Sequence, residues 1–262
     1  MMKLLSIELK KITSYPTFWV FAVLYLFMVL VVFMVIPSIK LNLPMWNLSL
    51  TSYYTFPDIW HTLTYIAGFF NLLLGVLVVI LVTNEFTFRT LRQNIIDGWT
   101  VNDVLSAKVY LLIFLSICTT VFVFLLGLIY GLFASPSFEA SSIFAQISFV
   151  VAYFVQALAY LCFALLMGTL LKKAGIGIIF FLLYSKIIEP LIGWKLPHEI
   201  SDYLPFHNIS SLIDNPAFKL VGVDVSTSPL GIHFVFTLLY SVIFILGSYL
   251  LLKKRSSAGS RS

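Results

Sequence analysis

The segment TFWVFAVLYLFMVLVVFMVI, residues 17–36, contains no charged side chain. A helix needs about 20 mostly apolar residues to cross about 30 Å of hydrocarbon, so this segment is long enough to span a bilayer. Its apolar core is longer than the roughly 7 to 15 residues of a secretory signal, and no small-residue cleavage site follows it. The segment therefore predicts an uncleaved first span.

The composition of the whole chain agrees with this interpretation. Of its 262 residues, 60% are hydrophobic and only 10% are charged, whereas soluble domains have about 25% charged residues. We predict an all-α integral membrane protein with six transmembrane helices in a single transmembrane domain, residues 1–262. The predicted spans are about 17–37, 62–83, 109–133, 143–171, 175–194 and 231–252.

The basic residues between the spans predict the orientation of the chain. Twelve of them lie at the termini or after the second and fourth spans, and three lie in the alternate connections. Because cytoplasmic loops carry an excess of Lys and Arg, both termini and residues 84–108 are predicted to be cytoplasmic, and residues 195–230 to be outside. The excess of basic residues that gives the net charge of +5 is therefore explained by the orientation of the chain in the membrane. For this reason we expect no nucleic-acid partner.

Residues 1–16 have apolar residues at positions 4, 5, 7, 9 and 12 with charged residues among them, as in the stretch IELKK. This pattern predicts an amphipathic helix that lies on the inner membrane surface and contacts lipid. Pro16 should end that helix and turn the chain into the first span. The alternative is a solvated tail.

Residues 84–108, NEFTFRTLRQNIIDGWTVNDVLSAK, are a polar segment between the second and third spans. We expect a helix that continues the second span through residue 96, a turn at Asp97 and Gly98, and a capping box formed by Thr100 and Asp103. Such a projection suits the docking of a soluble partner. The alternative is a solvated loop whose arginines contact lipid headgroups.

The order of residues in this segment resembles that of the ABC-2 type permeases, the membrane subunits of ATP-binding-cassette exporters. The resemblance extends to the IELKK start, the six-span layout and the long final outer connection, so it covers essentially the whole chain. Gly98 stands where that family usually has proline, which is a departure from its pattern. The matching residues in the segment are Glu85, Thr90-Leu91, Ile95-Ile96, Gly98 to Thr100, Asp103 and Lys108.

The resemblance implies a cytoplasmic coupling helix after the second span and short outer helices before the sixth, in the bacterial inner membrane. It also implies a second permease subunit, identical or not, and a separate ATPase subunit that drives export of an amphipathic or lipidic substrate. ATP and Mg would be bound by that partner, because this chain has no P-loop sequence and only short cytoplasmic pieces. We therefore expect no enzyme activity and no cofactor in the chain itself. The residues expected to face the ATPase are Glu85, Arg89, Arg92, Asp97, Thr100 and Asp103.

Two charged residues, Lys186 and Glu189, fall within the fifth predicted span. A charged side chain at a helix centre costs about 2.5 to 3.5 kcal/mol on insertion scales, so such residues normally pair or face a cavity. We expect them to line a translocation pathway or gate, or else to pair with each other one helical turn apart. Pro190 should kink this helix or begin a re-entrant segment. Gln156, in the fourth span, should bond to a neighbouring helix or contact substrate.

Other motifs give weaker indications. Gly127 and Gly131 have the small-xxx-small spacing of closely packed membrane helices, either within the subunit or at a subunit interface. The polar residues of the outer segment do not form the H-E-x-x-H pattern, so we predict no metal site there. Those residues are His198, Glu199, Asp202 and His207.

Two other function classes have characteristic requirements. An ATP-independent secondary transporter should show paired broken helices in two matching halves, and only the region of Pro190 resembles one. A membrane-embedded hydrolase needs a nucleophile with an acid-base partner, or a metal cluster, within the spans. The spans show neither pattern, so the permease is the preferred interpretation.

Overall fold

A computed structural model describes residues 2–35, 42–43, 46–47, 54–90, 93–94, 98–135, 140–216, 218 and 229–259. The regular secondary structure of these residues is helical apart from a two-residue antiparallel ladder between β1 (Asn42–Leu43) and β2 (Trp46–Asn47). A π-helical turn, Tyr184–Ile188, joins α7 to α8. The helices are α1 (Met2–Thr13), α2 (Pro16–Val35), α3 (Ile59–Thr87), α4 (Val101–Ala134), α5 (Ala140–Phe144), α6 (Ser148–Leu171), α7 (Ala174–Leu183), α8 (Glu189–Lys195), α9 (His198–Ser201), α10 (Pro205–Ser210) and α11 (Ile232–Gly259).

Six helical segments of the described chain are long and apolar enough to cross a membrane. The shortest has 20 residues, which at about 1.5 Å per residue reaches across about 30 Å of hydrocarbon. The prediction of an all-α protein with six helices able to span a membrane is confirmed. The segments are Pro16–Val35, Ile59–Thr87, Val101–Ala134, Ser142–Leu171, Ala174–Lys195 and Ile232–Lys254.

The bundle has two ends, which we name by the elements they carry. The terminal end carries α1, the end of α3 and the start of α4, which are joined by side-chain contacts. The loop end carries α9, α10 and the start of α11, where His233 Nδ1 lies 2.8 Å from Asn208 Oδ1.

The centre of the bundle is formed by α3 and α6. In the apolar windows of these two spans 67% and 78% of residues are buried, against 17% for α2. Small residues on α6 allow neighbouring backbones to approach closely. Such close packing matters in a membrane, because lipid is as apolar as the side chains and no hydrophobic effect drives the helices together. The fully buried small residues are Ala152, Ala157, Ala159 and Ala164.

Glycines lie at the closest helix crossings. A Cβ added to Gly75 on α3 would overlap the ring of Phe181 on α7. On α4, a Cβ at Gly127 would lie 2.8 Å from the Trp60 ring, and one at Gly131 would overlap Phe56. The Gly127 and Gly131 pair therefore packs within the chain, which decides between the two interpretations of that motif.

The helix of the second span ends earlier than predicted. It stops at Thr87, and Arg89 adopts a left-handed φ of 57°. A left-handed residue terminates a right-handed helix, so the expected continuous helix through residue 96 is wrong. Residues 90, 93 and 94 are helical again, while residues 91–92 and 95–97 lie outside the described residues.

The fifth span remains helical through Pro190, so of the two outcomes considered for this proline the re-entrant segment is not formed. The Glu189 N–H bonds to Tyr184 O, five residues earlier, which defines the π turn. Pro190 follows directly, at the start of α8, and has no N–H to donate to the helix. Such π turns inside helices are often found at functional sites.

Candidate functional site

Four charged residues from three helices meet at the terminal end of the bundle. Lys108 Nζ on α4 lies 2.8 Å from Glu8 Oε2 on α1 and also contacts Glu85 on α3. The Glu85 carboxylate contacts Lys11 as well. Glu8, Glu85 and Lys108 are only 2%, 4% and 6% exposed. We call these four residues the ion cluster.

The ion cluster is balanced, with two carboxylates and two ammonium groups. Buried charges are tolerated where they are paired and hydrogen-bonded, because isolated ones lose their hydration without compensation. The cluster explains why α1 turns the charged Glu8 toward the bundle together with Ile12, while Ile7 is exposed. A helix merely resting on a membrane surface would turn Glu8 toward water.

Glu85 was expected on a surface that faces a soluble partner, and this expectation is wrong. Its carboxylate is buried and already contacts two ammonium groups. Sequence reasoning also missed Glu8, Lys11 and Lys108 as its partners. The available signal was the presence of both acidic and basic residues at the predicted cytoplasmic edges of three helices, but it does not specify which residues pair.

An exposed segment lies next to the ion cluster in the sequence, between α3 and α4. Phe88 is 63% exposed, Arg89 is exposed, and Gly98 has a φ of 92° that suits glycine. We call the described part of residues 88–103 the 88–103 surface. Arg92 and Asp97, which were also predicted to face a partner, lie outside the described residues.

The predicted capping box at the start of α4 is confirmed. Asp103 N–H donates to Thr100 Oγ1 at 3.2 Å, and Thr100 N–H donates to Asp103 Oδ2 at 2.9 Å. The Thr100 hydroxyl also lies 2.6 Å from Asp103 Oδ2. The Asp103 carboxylate is therefore engaged within the chain, where it fixes the direction in which α4 leaves the 88–103 surface.

The Thr100→Ala variant should weaken the first turn of α4, because the amide of Asp103 would lose its acceptor. Loss of such a cap costs about 1 kcal/mol. Amide hydrogen exchange at residues 101–104 should become roughly fivefold faster, which is the change that this energy implies. Thr100→Ser keeps the hydroxyl and serves as the control, and equal exchange in both variants would contradict the assignment.

A second candidate site is a cavity of about 310 Å³ bordered by α3, α6, the π turn and the chain after α10. Lys186 of the π turn lines it, with Nζ 5.9 Å from the ring centroids of both Phe69 and Tyr160. Gln156 lines it from α6. The structure thus brings together two of the three residues that were predicted to form a translocation pathway or gate.

Gln156 makes the helix-to-helix bond that was one of its two predicted roles. Its Nε2 donates to Ile209 O on α10 at 2.9 Å. Its Oε1 has no hydrogen-bond partner among the described residues. A Cβ on Gly68 would lie 2.7 Å from this oxygen, so the glycine leaves it space.

Glu189 is separated from this cavity and from Lys186. It is 2% exposed, and its Oε1 accepts the His207 N–H at 2.9 Å near the start of α10. It therefore anchors α10 at the loop end of the bundle. No carboxylate of the described residues forms an ion pair with Lys186, so the considered pair between Lys186 and Glu189 is not formed.

The polar side chains near α10 form pairs. His207 Nε2 lies 3.6 Å from Asp202 Oδ1. Among the described residues no three His, Cys, Asp or Glu side chains are grouped so as to hold a metal ion. The side chain of His198 lies outside the described residues.

The six spanning segments define the chain as a multi-pass membrane protein. Residues 45–258 match the model of the family described as "Protein of unknown function (DUF2705)", and the chain belongs to this family. The matched residues include Glu85, Lys108, Gln156 and Lys186, and they begin after α1. Comparison with curated proteins finds no match.

Proposed function

We propose that the chain is the membrane-spanning permease subunit of an ABC exporter, which moves an amphipathic or lipidic substrate with ATP hydrolysed by a separate subunit. The observation that carries this proposal is the ion cluster at the base of the 88–103 surface. Glu85 and Lys108 belong to the helices on either side of that surface; Lys11 ties Glu85 to α1, and Glu8 ties Lys108 to it. A displacement of the surface would therefore reach three helices through one packed network.

The 88–103 surface has the properties of a docking site. Phe88 is a large exposed aromatic side chain next to an exposed arginine, and aromatic and Arg residues are enriched where proteins bind each other. Before α4, Gly98 has a positive φ, and Thr100 and Asp103 form the capping box. In this proposal residues 84–108 are the coupling segment, and the helical residues 90, 93 and 94 belong to its coupling helix.

The remaining partners follow from the same proposal. The ATPase subunit binds ATP and Mg, the permease itself catalyses no reaction, and a second permease subunit completes the pathway. Both termini and the terminal end lie in the cytoplasm of a bacterial cell, with α9 and α10 as the short outer helices. Support comes from exposed basic residues near the ends of α6 and α11, in accordance with the positive-inside rule. They are Lys172, Lys173, Lys253 and Lys254.

An ATP-independent secondary transporter is the second candidate. The observation that favours it is the π turn with Lys186 at a cavity within a span. Interrupted helices that bind substrate near the bilayer midplane are a feature of such transporters.

Purification from the native membrane in mild detergent should recover a stoichiometric soluble subunit that contains a P-loop, identified by mass spectrometry. Phe88→Ala and Arg89→Glu should each reduce its recovery about tenfold or more, since truncation of a central interface residue costs 2 kcal/mol or more. Lys195→Glu, an exposed change at the loop end, is the matched control and should leave recovery unchanged.

Two outcomes would contradict parts of the proposal. Repeated absence of any ATPase from an intact preparation would refute the exporter and favour the secondary transporter. Normal recovery of the ATPase with both surface variants would leave the exporter standing but refute the 88–103 surface as its docking site.

A further inference from the structure

Lys186 places a positive charge deep within a spanning segment. It lies roughly 18 Å along the helix from Ala174, at about 1.5 Å per residue, and the segment continues to Lys195. Its side chain is exposed and lines the cavity. Charged residues at this depth pair with an opposite charge or face a cavity.

The protein supplies Lys186 with aromatic faces but with no described carboxylate partner. The rings of Phe69 and Tyr160 attract its ammonium group without neutralising it. The positive charge is therefore available to an anion that enters the cavity. Asp214 also lines the cavity, so a headgroup with one negative charge suits it better than one with several.

A second polar group of the cavity points to a ligand independently of Lys186. Gln156 is 6% exposed, and its Oε1 has no hydrogen-bond partner among the described residues. A buried acceptor without a donor is costly, so a donor in the cavity would be favourable there. The cavity thus offers a cation on one side and a hydrogen-bond acceptor on another.

Apolar side chains form part of the cavity rim. Phe69, Ile187 and Phe218 are about half exposed, and Phe69 and Phe218 line the cavity itself. A hydrocarbon chain attached to the headgroup could leave the cavity along these side chains toward lipid. A volume of about 310 Å³ is near the lower limit of small-molecule pockets, which is enough for a headgroup.

We propose that this cavity binds the headgroup of a singly charged anionic amphiphile. Its phosphate or carboxylate contacts Lys186, a hydroxyl or N–H group of the headgroup donates to Gln156, and its chain lies along the apolar rim. Binding itself requires no ATPase. The further statement that this amphiphile is the exported substrate rests on the proposed function.

Binding should be measured with the full-length protein in neutral detergent, using lysophosphatidylglycerol as the probe. Its headgroup has one phosphate charge and free hydroxyls, whereas lysophosphatidylcholine of the same chain length is zwitterionic. We expect the Kd for the anionic probe to be at least tenfold lower. Lys186→Met should remove most of this preference, Lys186→Arg should retain it, and Gln156→Leu should weaken binding several-fold. Lys195→Met is the matched control and should leave the Kd unchanged.

Equal affinity for the two probes, or an unchanged Kd in Lys186→Met, would overturn the proposal. Glycerol 3-phosphate that binds as tightly as the anionic probe would overturn the role of the hydrocarbon chain. If Lys186→Met fails to fold, Lys186→Arg and Gln156→Leu still test the same contacts.

Native mass spectrometry separates two sources of the ligand. Phosphatidylglycerol retained by the wild type and lost from Lys186→Met would support a membrane lipid, whereas binding of added probe alone would support a solute. Recovery of the ATPase is a separate measurement. Loss of probe binding with normal ATPase recovery would refute this site only. Normal probe binding without recovery of any ATPase would refute the exporter only.

Discussion

Replacement of Lys108 by Met should lower the free energy of unfolding by about 3–5 kcal/mol, the usual cost of removing one partner from a buried ion pair. The variant leaves Glu8 and Glu85 buried, with only the partly exposed Lys11 to compensate them. Reversible unfolding of the purified protein in mixed micelles measures the effect. Met preserves the length of the side chain, so the loss reflects charge rather than volume.

A triple variant provides the control for this prediction. Lys108→Met combined with Glu8→Gln and Glu85→Gln removes the uncompensated carboxylates and should recover most of the lost stability. A single Lys108→Met variant that loses less than about 1 kcal/mol would show that the carboxylates find other partners, and would refute the ion cluster as a stabilising unit.

The triple variant also tests the proposed function. If the ion cluster transmits motion from the 88–103 surface, the folded triple variant should still recover the ATPase, because the surface itself is unchanged. Its rate of substrate-stimulated ATP hydrolysis, measured in proteoliposomes, should be at least tenfold lower than that of the wild type. Full stimulation in the triple variant would refute the role of the cluster in coupling.

The Gly75→Ala variant should lower the free energy of unfolding by about 1–3 kcal/mol, the usual cost of overpacking a core. The new methyl group would overlap the ring of Phe181, which is fully buried and has little freedom to move. The measurement is the same unfolding experiment.

Gly175→Ala is the matched control, since no heavy atom lies within 4 Å of a Cβ at that position. The second change Phe181→Leu should restore part of the stability in the Gly75→Ala background by making room for the methyl group. Equal stability of the Gly75→Ala and Gly175→Ala variants would contradict the close crossing of α3 and α7.

Local features of the chain could be predicted from the sequence. The six apolar segments reach the length needed to span hydrocarbon, and each overlaps one of the six helical segments that are long and apolar enough to cross a membrane. The capping box at Thr100 and Asp103 was predictable because it involves two residues three positions apart. The turn at Gly98 is similarly local.

The candidate sites depend on contacts that no local pattern contains. Lys108 and Glu8 are 100 positions apart in the chain. The sequence predicted the helices that carry these two residues, but not that the helices meet. Lys186 lies in the π turn and lines a cavity while Glu189 bonds to α10, although their spacing of three residues is one at which side chains on a helix can pair.

The sequence by itself determined that this is an all-α, six-span membrane protein. The reason is that the length and hydropathy of each segment need to match only the thickness and apolarity of the bilayer, whatever the other segments do. The tertiary structure alone decided that α3 and α6 form the centre, that Glu85 is buried in the ion cluster, and that Lys186 faces a cavity. The reason is that lipid and the protein interior are equally apolar. Hydropathy therefore does not distinguish a lipid-facing side chain from a packed one, and only shape and charge pairing between distant residues do.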